Sequence, residues 1–227
     1  MAQKKSNSLV DSYLVAYNAA SFVGWSYVLF QTVTYLLEHG TDLSGLFDQV
    51  GYAVIYVQTG ALLEIVHSLL GFVRSSVLPV LTQVYSRLLL VWGTLYVFDQ
   101  PEVRASYGFV LILLAWSITE CVRYSHYTLS LLGIQSPTLL YLRYTLFYVL
   151  YPTGFSGEML EMWAALPFAG AIRPAFKGFL LLNIINYPPV LYKLYTHMIR
   201  QRRKVLGGET KPKKAVASTT AATKKKL

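Results

Sequence analysis

The sequence predicts an all-α protein, a polytopic membrane bundle of six transmembrane helices with both termini in the cytosol. Three observations carry that expectation. Of 227 residues, 54% are hydrophobic and 14% are charged, against about 25% charged in a soluble domain. Apolar runs of about 18 residues or more, long enough to cross a bilayer, recur along most of the chain. The net charge of +9 is concentrated at one end. From Arg200 onward ten Lys or Arg face one acid, Glu209, while the rest of the chain balances ten against ten. Near-continuous apolar helices satisfy their own backbone in lipid. A soluble enzyme, a disordered chain and a collagen-like repeat are therefore excluded.

The first span is expected at about Tyr13–Leu37, the second at Gly51–Val73 and the third at Val77–Phe98. The fourth follows at Tyr107–Tyr127, the fifth at Thr138–Gly154 and the sixth at Gly178–Ile199. The fifth is short if it stops at Pro152. The apolar stretch Met159–Leu166 either extends it or lies at the interface. Residues 1–12 form a cytosolic segment, 13–199 the membrane domain and 200–227 a basic, disordered cytosolic tail.

Orientation follows from the basic residues at span ends. Lys4 and Lys5 precede the first span and an Arg/Lys cluster follows the sixth, so both ends are cytosolic and the number of spans is even. The first loop holds Glu38, Asp42 and Asp48 without Lys or Arg and suits the opposite side. Arg173 and Lys177 fit this arrangement less well. No nucleic-acid motif accompanies the basic tail, which reads as a flank near anionic lipid. The first span is too long for a removed signal peptide and lacks a small-residue cleavage site. One cysteine, Cys121, excludes an internal disulfide and any Cys-based metal cluster.

An ionisable group inside a span is costly and needs a reason. The second span carries Glu64 and His67, the third Gln83 and Arg87, the fourth Glu120, Arg123 and Tyr124, and the fifth Arg143 and Tyr144. Glu64 and His67 share a helix face at i,i+3, and Glu120 shares one with Arg123 and Tyr124. These groups line a polar interior that holds substrate, or they pair between helices and hold the bundle together. Arg143, near the cytosolic end, also has the option of snorkelling to the interface. Glu-x-x-His occurs once, whereas a di-iron bundle needs it twice with two further Glu, so no metal is expected.

Tyr141, Tyr144, Tyr148 and Tyr151 stand at helical spacing on the fifth span, a stripe that reads mainly as packing. Tyr151 differs because Pro152 disfavours helix before it. In YPTGFSGE, Tyr151 and Glu158 are seven residues apart across a segment expected to break. On an unbroken helix they would share a face about 10.5 Å apart along the axis.

Five blocks occur in order: YLVAYNAASFVGW, LLEIVHSLLGFVRS, TQVYSRLLLVWG, WSITECVRYSHY and LRYTLFYVLYPTGFSGE. Together they resemble the membrane 3-hydroxyacyl-CoA dehydratases of very-long-chain fatty acid elongation, also called protein tyrosine phosphatase-like proteins. The resemblance covers nearly the whole hydrophobic body and implies that Tyr151 and Glu158 are the catalytic pair. It implies an acyl-CoA substrate without a separate cofactor and a multi-pass place in the endoplasmic reticulum membrane. It also implies work beside a condensing enzyme, a ketoacyl reductase and an enoyl reductase. Lys224-Lys225-Lys226-Leu227 resembles a dilysine retrieval signal, which agrees. Phosphatase chemistry is not expected, because it needs a thiolate in an Arg-ended phosphate loop. Cys121 lies inside a span.

Dehydration of a 3-hydroxyacyl thioester removes a proton from carbon two and hydroxide from carbon three. A carboxylate is a stronger base in an apolar surround than in water, and a phenol is protonated at neutral pH. Glu158 as base and Tyr151 as donor is the first assignment. The reverse stays open if Arg143 or Arg123 acts on the tyrosine. The thioester oxygen needs a donor as charge develops on it, from N–H groups around Gly154 and Gly157 or from a bundle Arg or His. With the fifth span starting in the cytosol, the pair is expected toward the opposite end. Two rival functions are a non-catalytic membrane scaffold of the same fold and a proton-coupled transporter. The absence of internal repeats weakens the transporter.

Overall fold

The computed structural model describes residues 8–207. Lys4, Lys5, the tail from residue 208 on and the terminal Lys-rich signal lie outside the described residues. Among the described residues the architecture is helical, without strands. Helix α1 spans Ser8–His39 and ends where Gly40 takes a φ of +60°, a left-handed conformation open to glycine. A π-helical turn at Phe47–Gly51 leads into α2 (Tyr52–Gly60) and α3 (Leu62–Leu69). Helix α4 (Val77–Leu90) runs on as a π-helical segment, Val91–Tyr96. After the single turn α5 (Pro101–Arg104), the Ser106 hydroxyl accepts from the Phe109 N–H at 2.9 Å and caps α6 (Tyr107–Leu131). Helices α7 (Pro137–Arg143), α8 (Phe147–Ile172) and α9 (Pro174–Leu206) complete the described chain.

Two helical stretches are long and apolar enough to cross a membrane: Phe47–Leu69, of 23 residues, and Pro101–Leu131, of 31. Helices α1, α8 and α9, with 32, 26 and 33 residues, also exceed the length required, since about 20 residues span 30 Å. Leu37, Leu69, Val149, Trp163 and Ile185 are exposed, whereas Gln58, His67, Glu120 and Glu161 are buried. A lipid surround favours this polar interior and apolar exterior.

The fifth span differs from expectation. Helix α8 does not break at Pro152 but continues to Ile172, so Met159–Leu166 extends it. Pro152 and Pro167 both lie at exposed positions of the helix. Pro152 removes the bond to the Tyr148 carbonyl, and the neighbouring Thr153 hydroxyl donates to the Val149 carbonyl at 2.8 Å. The tyrosine stripe is also divided. Tyr141 lies on α7, Tyr144 caps its end, and only Tyr148 and Tyr151 lie on α8. At the other end, α9 carries Arg200–Leu206 as helix, so the expected disorder does not begin at Arg200. Those residues continue α9.

Helix α6 packs between α1 and α8, and α9 packs on α8. The α6–α8 crossing is tightest at Gly108 and Gly157. A Cβ on Gly157 would stand 2.7 Å from the Gly108 carbonyl oxygen and 2.9 Å from the Ile112 nitrogen. Backbone atoms cannot swing aside as a side chain does. Gly157→Ala is therefore expected to force the helices apart at a cost of about 1–3 kcal/mol. Thermal unfolding of the purified variant in detergent reads this as a lowered Tm. An unchanged Tm would mean the helices do not approach this closely.

Candidate active site

Helix α6 supplies one polar stripe: Trp116, Glu120, Arg123, Tyr124 and Tyr127, spaced so that all five share a face. Together they reach several neighbouring elements. The Arg123 guanidinium grips Glu64 of α3 with two bonds, Nη1 to Oε2 at 2.9 Å and Nη2 to Oε1 at 2.7 Å. Its Nε donates to Glu120 Oε2 at 2.5 Å. The Tyr124 hydroxyl donates to Glu64 Oε1 at 2.5 Å. Arg87 of α4 pairs with the other oxygen of Glu120 through Nη1. The same Nη1 reaches Gln58 Oε1 at 3.5 Å. Two acids and two arginines thus alternate, and their charges cancel in the interior.

Sequence spacing pairs Glu64 with His67, but the two side chains take different partners. His67 is buried, with its Nε2 2.8 Å from the Tyr13 hydroxyl and its ring against Tyr17 and Phe72. Arg143 donates to the Tyr127 hydroxyl at 2.9 Å and lies over that ring at 4.6 Å. Tyr144, in the turn between α7 and α8, also faces Arg143. This group touches the main network only through Tyr127, which lies 6.0 Å from Arg123. Gln83 is exposed and stays outside. Among the described residues no three His, Cys, Asp or Glu side chains converge on a metal position.

Tyr151 and Glu158 share one face of unbroken α8, about 10.5 Å apart along its axis. Tyr151 is the fifth residue of α8 and Glu158 the twelfth, so the pair occupies its first half. That corrects their expected place near the far end, an expectation that rested on a fifth span ending at Gly154. Glu158 is half-buried and both of its oxygens accept hydrogen bonds. The Trp116 indole N–H donates to Oε1 at 2.9 Å, and the Tyr187 hydroxyl, from α9, donates to Oε2 at 2.7 Å. Arg87 stacks over Trp116 at 4.8 Å. The Tyr151 ring meets Phe147 edge-on at 5.8 Å. Its hydroxyl has no hydrogen-bond partner among the described residues, which leaves it for a bound molecule. The backbone N–H groups of Gly154 and Gly157 lie within α8 and serve the helix's own ladder, so they are not oxyanion donors.

A family model described as protein tyrosine phosphatase-like protein, PTPLA, matches residues 58–208. The chain belongs to this family. It is 42% identical over 90% of its length to the very-long-chain (3R)-3-hydroxyacyl-CoA dehydratase hpo-8 of Caenorhabditis elegans, covering 99% of that protein. Identity to the human very-long-chain (3R)-3-hydroxyacyl-CoA dehydratase 2 is 40%, over 91% of this chain and 85% of the relative. The rice relative named very-long-chain (3R)-3-hydroxyacyl-CoA dehydratase PASTICCINO 2B is 38% identical, over 86% of this chain and 92% of its own. No solved structure matches the chain.

In this PTPLA family member the phosphatase part of the family label has no cradle behind it. Cys121 sits 3.4 Å from Ser26, and Arg123 spends its guanidinium on Glu64 and Glu120. Sequence reasoning passes over Trp116, Tyr187 and the buried Glu161, whose Oε2 accepts from Ser106 at 2.6 Å. Trp116 carries a readable signal, since it stands four residues before Glu120 on the same face. Tyr187 precedes Pro188 and Pro189, and nothing in that spacing points across to Glu158.

Proposed function

We propose that the chain is a (3R)-3-hydroxyacyl-CoA dehydratase that forms a trans-2-enoyl-CoA, the third step of very-long-chain fatty acid elongation, in the endoplasmic reticulum membrane. The observation that carries this reading is the Tyr151/Glu158 pair on one face of α8, with Trp116 and Tyr187 donating to the two oxygens of Glu158. Family membership and the names of the relatives support it. Glu158 takes the proton from carbon two, and that electron pair becomes the new double bond. The carbon–oxygen bond at carbon three breaks, and the departing hydroxide takes the Tyr151 proton and leaves as water. Loss of the proton from Glu158 to water and uptake of one from water by Tyr151 reset the site. Both Glu158 oxygens accept, Oε1 from Trp116 and Oε2 from Tyr187, the pattern of a carboxylate, which favours Glu158 as the base. Both hydrogen bonds of Arg87 leave from Nη1, so Nε and Nη2 remain to stabilise the thioester oxygen as charge develops on it.

Six spans accommodate the described helices: α1; the π turn with α2 and α3; α4 with its π segment; α6; α8; and α9. With both termini cytosolic, α8 starts at the cytosolic face. Tyr151 then lies about 6 Å and Glu158 about 16.5 Å along the helix from that start. A thioester arm entering from the cytosol meets both groups while CoA stays at the mouth and the acyl chain runs deeper. Partners in this reading are the condensing enzyme and the two reductases of elongation.

Purified protein in detergent, given a 3-hydroxyacyl-CoA, is expected to release the enoyl product. Failure to turn over any chain length would return the non-catalytic scaffold to first place. Tags at either terminus are expected to be accessible in cells whose plasma membrane alone is permeabilised. Protection of one terminus would overturn the six-span count.

A further inference from the structure

We propose that Tyr187, on α9, is a positioning residue that holds Glu158 in its proton-accepting rotamer; this rests on the dehydratase reading. A glutamate side chain has three rotatable bonds, and proton abstraction from carbon needs one oxygen aimed within a few tenths of an ångström. Two donors fix that aim here. They come from different helices and reach different oxygens, Trp116 to Oε1 and Tyr187 to Oε2.

Each donor is itself held. Trp116 is buried beneath the Arg87 guanidinium. The Tyr187 ring stacks on Phe155 of α8 at 5.6 Å with an interplanar angle of 27°. The Tyr187 ring is thus set by packing, which leaves its hydroxyl the separate task of meeting the carboxylate. Each carboxylate oxygen has two lone pairs, so one bond at each oxygen leaves a lone pair for the substrate proton. Because the substrate proton goes to a lone pair that neither donor occupies, both bonds persist after Glu158 takes it.

Tyr187→Phe keeps the ring and its stack on Phe155 and removes only the hydroxyl. In the purified enzyme, kcat is expected to fall about 10- to 100-fold, the scale of a misplaced reacting group. KM should stay within about two-fold, because uniform binding is untouched. A substrate deuterated at carbon two should show a larger isotope effect than with the wild type, because proton removal becomes the slow step. Folded yield should match wild type. Adding Tyr187→Phe to Glu158→Gln should cost little further, since the group being positioned is already gone. Phe155→Leu removes the stack and keeps the hydroxyl, and it should give a smaller loss than Tyr187→Phe.

A Tyr187→Phe enzyme with unchanged kcat, while Glu158→Gln is inactive, overturns the positioning role and leaves the dehydratase reading standing. A raised KM and lowered yield with an unchanged isotope effect also overturns it, since that is the pattern of lost packing. If Glu158→Gln itself turns over normally, the reading beneath the proposal has failed, whatever Tyr187→Phe does.

Discussion

Tyr151→Phe and Glu158→Gln should each reduce turnover by roughly 100-fold or more, the scale of a positioned acid or base, while the protein stays folded and membrane-inserted. The first change removes one hydroxyl that has no partner among the described residues. The second keeps the shape of Glu158 and two acceptor or donor atoms beside Trp116 and Tyr187. Neither makes a cavity, so a loss of activity is not a loss of fold. If the two groups act as a unit, the double variant should be little worse than the poorer single. Tyr148→Phe, one turn back on α8, is the control. Its ring stacks on Phe147 at 4.3 Å, and its loss of a hydroxyl should be mild. Near-normal dehydration by all three variants would sink the acid–base assignment. The Glu64 and Glu120 networks would then be the next place to look.

The second large effect is structural. Glu120 is fully buried and is the only one of the two network acids to contact both arginines, Arg87 and Arg123. Glu120→Ala removes the anion between two cations. Arg123 keeps Glu64, but Arg87 keeps only Gln58 at 3.5 Å. Removing one partner of a buried pair costs about 3–5 kcal/mol, because the remaining charge is left uncompensated. The expected result is a sharp fall in folded yield, read as the monodisperse fraction on size exclusion in detergent. Glu64→Ala should cost less, since Arg123 retains Glu120. Wild-type yield and thermal stability in both would show that these groups face water or headgroups.

The parts of this site that share one helix were readable in the sequence. Glu120 and Arg123 are three residues apart, and they bond at 2.5 Å. Tyr151 and Glu158 are seven apart, and the unbroken α8 places them on one face. Contacts between helices were not readable, because they depend on how each helix is rotated against its neighbours. His67 shares a face with Glu64, yet a tyrosine 54 residues away takes its Nε2. The extent of α8 was obscured by Pro152, which marks a helix end more reliably in water than in a packed membrane bundle, where helices tolerate proline. The shorter segment also put Tyr151 and Glu158 toward its end, whereas they occupy the first half of α8.

Glu158 draws its donors from both directions along the chain, from Trp116, 42 residues before it, and from Tyr187, 29 residues after it. Synthesis runs in one direction, so these donors arrive at different times. When α8 first settles against α6, the glutamate meets the indole but not yet the phenol. A chain interrupted before residue 187 would carry Tyr151, Glu158 and Arg87 in the bilayer and still lack the second clamp. If the chain is the proposed dehydratase, such a copy is expected to turn over more slowly, as Tyr187→Phe does, because α9 brings the second donor to Glu158.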